Sequence, residues 1–172
     1  MPIDGCTSTF MKVATAVLPK YMEAIRVAMR NPHRMTEFCK PGVGVKTIAK
    51  NLNIVGGDFS GCYVLLRRDS KPLYVGISRG VMGRLRQHVT GTTHFDASLA
   101  YQMACKRVPH NMRRGAAMED PIFRKAFDEA KRLLVGSSVA FIEIRNDLEL
   151  YLFEAYCAMK LNTCEWNTFR TH

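Results

Sequence analysis

Five residues of this chain have the types and spacing to open a phosphodiester bond. Tyr63 closes the triplet Gly61-Cys62-Tyr63, and after ten intervening residues Tyr74 opens Tyr74-Val75-Gly76. Arg84 and His88 follow four residues apart, so on a helix they share one face. Glu154 stands among Leu152, Phe153, Ala155 and Tyr156. Hydrolysis of a phosphodiester needs a base for the attacking water, charge relief at the pentavalent phosphate, a stabilised leaving oxygen and close placement. Arg84 offers a permanent cation whose planar fork matches phosphate oxygens. Glu154 offers a hard oxygen ligand for one divalent ion, Mg²⁺ or Mn²⁺. Magnesium commonly takes few carboxylates and keeps several waters, so one acid can suffice when the phosphate supplies a further ligand. Either the Tyr63 phenol or the His88 imidazole could take the proton of the water. The ordinary tyrosine pKa of about 10 is high for a base, and a neighbouring cation such as Arg84 would lower it. The residues alone do not choose between the two. Each also has a plain structural reading, as a strand aromatic, a solvated helix cation or a satisfied histidine. Glu154 resists that reading most, because burying a carboxylate without a partner is costly.

The elements that must position these side chains can be read from periodicity and punctuation. Ser8 or Thr9 caps a helix to about Arg30 that Pro19 kinks or divides and Asn31-Pro32 stops. Residues 45–52 suit a short helix. Residues 61–67 and 72–77 are two apolar strands joined by the polar turn 68–71, which predicts an antiparallel hairpin. Val81, Leu85 and Val89 form an apolar stripe on a helix over 80–89. A second helix is expected over 95–108, then a basic loop to Met118. A third helix opens at Asp120-Pro121 and runs to about Leu134. Residues 139–144 are a third strand, and Asn146 or Asp147 caps a last helix to about Met159. The expected class is α+β, a small, mainly antiparallel three-stranded sheet flanked by helices. Residues 1–60 are expected as an N-terminal helical extension packed on a domain of residues 61–172.

In this order and spacing the residues resemble the GIY-YIG nuclease family. Gly61-Cys62-Tyr63 and Tyr74-Val75-Gly76 correspond to its paired signature, with Cys62 and Val75 in the places of the two isoleucines. Arg84 and His88 lie eight and twelve residues beyond Gly76, as in the family. Glu154 in the last helix and Asn167 a little over three turns later complete the pattern, which covers about residues 61–168. The resemblance implies a metal-dependent DNA endonuclease with Tyr63 as base, Tyr74 and His88 holding water or phosphate, Glu154 as metal ligand and Asn167 in the catalytic set. One position departs: many members carry a basic residue where this chain has Ile77, and the nearest cation is Arg79.

Charge points the same way. The 25 Lys and Arg against 15 Asp and Glu leave +10, which implies a polyanionic partner or surface, most often nucleic acid and less often an anionic membrane; the resemblance implies that the partner is DNA. Residues 61–132 hold 14 basic and 6 acidic side chains, net +8, whereas residues 133–172 hold 3 and 5, net −2. Arg79, Arg86, Lys106, Arg107, Arg113 and Arg114 are the expected backbone contacts, with Arg67 and Arg68 beside them; such contacts give salt-sensitive affinity without reading sequence. The six cysteines form no C-x-x-C pair and suit free thiols in a reducing compartment. No signal peptide and no apolar run of roughly 18 residues is evident, so the expectation is cytoplasmic, without a membrane partner, export by a specialised system aside. Residues 1–60 could serve as a homodimer face or bind an inhibitor, immunity or carrier protein. Two further readings compete: a catalytically inactive nucleic-acid-binding module on the same fold, and a basic structural domain.

Overall fold

The computed structural model describes residues 2–169. It is α+β, with helices and a four-stranded sheet. The strands are β1 (His33–Arg34), β2 (Gly61–Leu66), β3 (Pro72–Ser78) and β4 (Ser138–Glu143), in the order β1-β4-β2-β3. The chain separates into two compact units. One draws on residues up to His33, Asp58–Val81 and the chain from Ser138 onward; the other on Arg34–Gly57 and Met82–Ser137. Residues 1–60 are thus shared between the two. No helix among the described residues is long and apolar enough to cross a membrane.

The first unit is built on β2, whose six residues are all buried. It pairs antiparallel with β3, placing Tyr63 opposite Gly76 and Leu65 opposite Tyr74, and antiparallel with β4. The hairpin turn closes through the Arg67 N–H donating to the Lys71 carbonyl, 2.8 Å. Cys62, Val64 and Leu66 face one side with Val75, against Met22 and Ile25 of one helix and Phe153 and Cys157 of another. The first of these helices begins as α1 (Phe10–Lys12), capped by the Thr9 side chain, which accepts from the Lys12 N–H. It continues through a π turn (Val13–Val17) into α2 (Leu18–Arg30). Pro19 explains the π turn: its ring would meet a carbonyl one turn back, and the wider coil relieves that without ending the helix. The last helix, α8 (Asp147–Leu161), is capped by Asn146, whose side chain accepts from the Glu149 N–H.

The second unit is helical. It holds α3 (Val45–Asn51), α4 (Val81–Thr90) from Met82 on, α5 (Ser98–Arg107), α6 (Arg114–Glu119) and α7 (Pro121–Val135). On α4 the stripe Val81, Leu85 and Val89 is buried as expected. Helix α5 packs along α7, and Asp120 caps α7 by accepting from the Phe123 N–H, 2.8 Å.

Three expectations need correction. The sheet has a fourth strand, β1, whose two residues are too few to show any alternation. The expected loop over 109–118 contains the start of α6, six residues with only Ala117 buried, too short for an apolar period. Helix α5 starts at Ser98 rather than near Phe95, because Thr93 and Asp96 bond each other: the Thr93 hydroxyl donates to Asp96 Oδ2 at 2.8 Å and accepts from the Asp96 N–H at 3.2 Å.

Gly61 is fixed by packing. A Cβ there would lie 2.1 Å from the Ile142 carbonyl oxygen of β4. Gly61→Ala must push two backbones apart. We expect a loss toward the upper end of the about 1–3 kcal/mol typical of overpacking, read by urea unfolding; an unchanged midpoint would show that the strands part freely.

Candidate active site

The two triplets meet across the β2–β3 pair. A Cβ on Gly76 would stand 2.4 Å from the ring and hydroxyl of Tyr63 and 2.8 Å from the ring of Tyr74. The missing side chain therefore makes the slot in which the Tyr63 hydroxyl end sits. The two tyrosine rings lie 6.3 Å apart. Tyr63 is 1% exposed, and Tyr74 is half-buried. Strand alternation directs Tyr63 away from the face that carries Cys62 and Val64, so it points away from the helix α8 that covers that face.

Glu154 lies on α8, between Phe153 and Cys157 of the core. It is half-buried, and no described residue gives it a hydrogen bond or an ion pair. Burial holds its carboxyl above the ordinary range. It lies close enough to Cys62 to add to the rise of that thiol, which burial drives first and a hydrogen bond with Cys157 second. Glu154 suits an incoming cation, since its lone pairs are unclaimed. No group of three or more His, Cys, Asp or Glu among the described residues could cage a metal. An ion here would be held by one carboxylate, with water and a ligand oxygen completing the shell.

Asn167 is placed by its amide. Its Nδ2 donates to the Val75 carbonyl, 2.7 Å, and its Oδ1 accepts from the Val75 N–H, 2.9 Å. It thus acts as one more strand residue on the open edge of β3 and fixes the backbone between Tyr74 and Gly76. Arg79 is exposed and forms an ion pair with Asp147 at 2.7 Å, while Arg67 does the same with Glu165 at 2.6 Å. These carboxylates are remote in the chain from the arginines they pair with, so no local pattern connects them.

Arg84 and His88 belong to the second unit. The Arg84 guanidinium donates to the Asp96 carbonyl at 2.9 Å, Ser98 Oγ at 2.6 Å and Gln87 Oε1 at 3.2 Å. Three bonds leave two of its five N–H donors. His88 is 0% exposed, and burial, then the Arg84 charge, lowers its pKa to about 3. Its ring is neutral at physiological pH. Neither Tyr63 nor His88, the two candidates for taking a proton, meets solvent in this form. Among the expected DNA contacts, Arg107 pairs with Glu129, Arg86 is half-buried, and Lys106, Arg113 and Arg114 are exposed.

No protein-family model, no curated protein and no solved structure matches this chain.

Two outcomes follow from these placements. Because the folded chain holds the Glu154 proton more tightly than the unfolded chain does, this group's contribution is most favourable at acid pH. It is lost as pH rises from about 4.5 through the raised value. Glu154→Gln should therefore raise the melting temperature at neutral pH and flatten that fall; equal melting curves across pH would show the carboxylate to be solvated. Asn167→Ala removes two hydrogen bonds, about 0.5–1.5 kcal/mol each, and should speed hydrogen exchange at the Val75 amide. Unchanged exchange there would refute the clasp.

Proposed function

We propose that the chain is a metal-dependent endonuclease that hydrolyses DNA phosphodiester bonds, with an active site of the GIY-YIG kind. The observation that carries this reading is Glu154, a half-buried carboxylate with raised pKa and no partner among the described residues. A carboxylate so placed costs stability, which a fold tolerates most readily where the group has work to do. Glu154 would hold one Mg²⁺ or Mn²⁺. When bound, the ion supplies charge for the developing phosphorane and the leaving oxygen.

The remaining roles rest on the resemblance, not on a distance. Tyr63 takes the proton of the attacking water, Tyr74 and His88 hold water or phosphate, and Arg84 faces the non-bridging oxygens with the donors its own contacts leave over. Asn167 acts through the backbone as a positioning residue. Arg79, Arg86, Lys106, Arg107, Arg113 and Arg114 hold the DNA backbone. The exposed Arg79–Asp147 pair is of the weakly held kind, so phosphate can displace it.

A second reading has its own support. Tyr63 and His88 are enclosed, and Tyr63 points away from the α8 face of the sheet. That arrangement favours a module that binds nucleic acid without cutting it.

Supercoiled plasmid with Mg²⁺, Mn²⁺ or EDTA separates the two. The nuclease reading expects metal-dependent nicking or linearisation. Glu154→Ala should abolish it while DNA binding persists, and Arg84→Ala should slow it on the order of 10²–10³-fold. Salt-sensitive binding without cleavage in either metal would establish the binding module, and near-normal cleavage by Glu154→Ala would refute the assignment of that residue.

A further inference from the structure

The second unit also brings together a thiol, an imidazole and a phenol that the nuclease reading does not use. Cys105 Sγ on α5 lies 3.7 Å from Nε2 of His110, and the Tyr101 hydroxyl lies 3.5 Å from the same nitrogen. The His110 ring packs edge-on against Phe123, with centroids 4.8 Å apart at 87°. Its Nδ1 is buried without a hydrogen-bond partner among the described residues. The ring is therefore held by packing, with Nε2 turned to the sulfur. Cys105 is half-buried, like Cys39, whereas Cys6, Cys62 and Cys157 are buried and Cys164 is exposed. The other two with any exposure face oxygen acceptors instead: Cys39 donates to the Thr36 carbonyl at 3.4 Å and Cys164 to Asn162 Oδ1 at 3.5 Å.

We propose that Cys105 is a nucleophilic thiol activated by His110, and a site of oxidation by small hydroperoxides. A thiol within reach of an imidazole has the nucleophile–base arrangement of activated cysteines. Arg114 of α6 is near enough to Tyr101 to oppose the burial-driven rise of its phenol. On the neighbouring helix α7, Glu129 pairs with Arg107 and Asp128 with Arg124, and at its cap Asp120 accepts from the Phe123 N–H. In the reaction the thiol proton passes to His110 Nε2 as sulfur attacks the distal hydroperoxide oxygen. The S–O bond forms, the O–O bond breaks, and the leaving hydroxide or alkoxide takes the proton. Sulfur is oxidised to the sulfenic acid, and the hydroperoxide is reduced to water or an alcohol.

Limited iodoacetamide labelling of the full chain near neutral pH, followed by peptide mass spectrometry, tests the assignment. Cys105 should label faster than Cys39. His110→Gln should slow Cys105 about 10²-fold, the low side of what a positioned base contributes, with Cys39 and Cys164 unchanged. Prior hydrogen peroxide should block Cys105 first, and dithiothreitol should restore it. Wild-type Cys105 no faster than Cys39, no early block by peroxide, or an equal Cys105 rate in His110→Gln would overturn the proposal. Continued protection of Cys62 and Cys157 reports that the variant is folded. Where that protection is lost, the wild-type comparison with Cys39 and the peroxide block decide.

Discussion

Strand β2 can lie between β3 and β4 only because two positions carry no side chain. At Gly61 the β4 carbonyl of Ile142 occupies the place of a Cβ, and at Gly76 the ring of Tyr63 does. Everything in the first unit inherits that fit. With the backbones this close, Cys62, Val64 and Leu66 reach one core with Val75 and the helices α2 and α8. Tyr63 is then fixed on the opposite face with its hydroxyl end in the slot of Gly76. The glycines that make the triplets recognisable are thus explained by packing alone, and a fold could keep them after losing any chemistry. Their presence is evidence for the hairpin first and for catalysis second.

Glu154 is the opposite case, since packing does not explain it. Its neighbours on α8 are core residues, its carboxyl is pushed up by burial, and no described group answers its charge. An apolar residue of similar size would suit a purely structural helix better. Where local consistency fails in an otherwise consistent fold, function is the usual reason. The same logic does not reach Arg84, three of whose five N–H donors already have acceptors within its own unit. Those contacts also hold its planar fork in one orientation, which is how a binding arginine is prepared before its ligand arrives.

Much of the fold was legible because its elements are long and strongly patterned. The hairpin, the α4 stripe, the Asp120-Pro121 start of α7 and the Asn146 cap of α8 each leave a local signal, and the observed bounds fall within a few residues of those read from it. Strand β1 and helix α6 are too short to carry a period, so only tertiary context makes them. For the site, residue types and order were legible, but surroundings were not. The partners of Arg84, at Asp96 and Ser98, lie beyond its helix, and no spacing rule connects them. One signal was available and unused. Cys62 and Tyr63 are adjacent in a strand and must face opposite sides, so a helix that buries Cys62 cannot also cover Tyr63.

Asn167 shows how a residue can shape a candidate site without touching its tyrosines. Strand β3 lies at the edge of the sheet and presents unpaired donors and acceptors. The Asn167 amide satisfies one N–H and one C=O of Val75 at once, and Val75 stands between Tyr74 and Gly76. The clasp holds the backbone between Tyr74 and the glycine whose slot receives Tyr63. The clasp needs a donor and an acceptor on the same planar group, which an ionised aspartate cannot provide and a leucine of equal size cannot imitate. The identity of the residue is therefore dictated by backbone geometry rather than by any contact with the tyrosine rings.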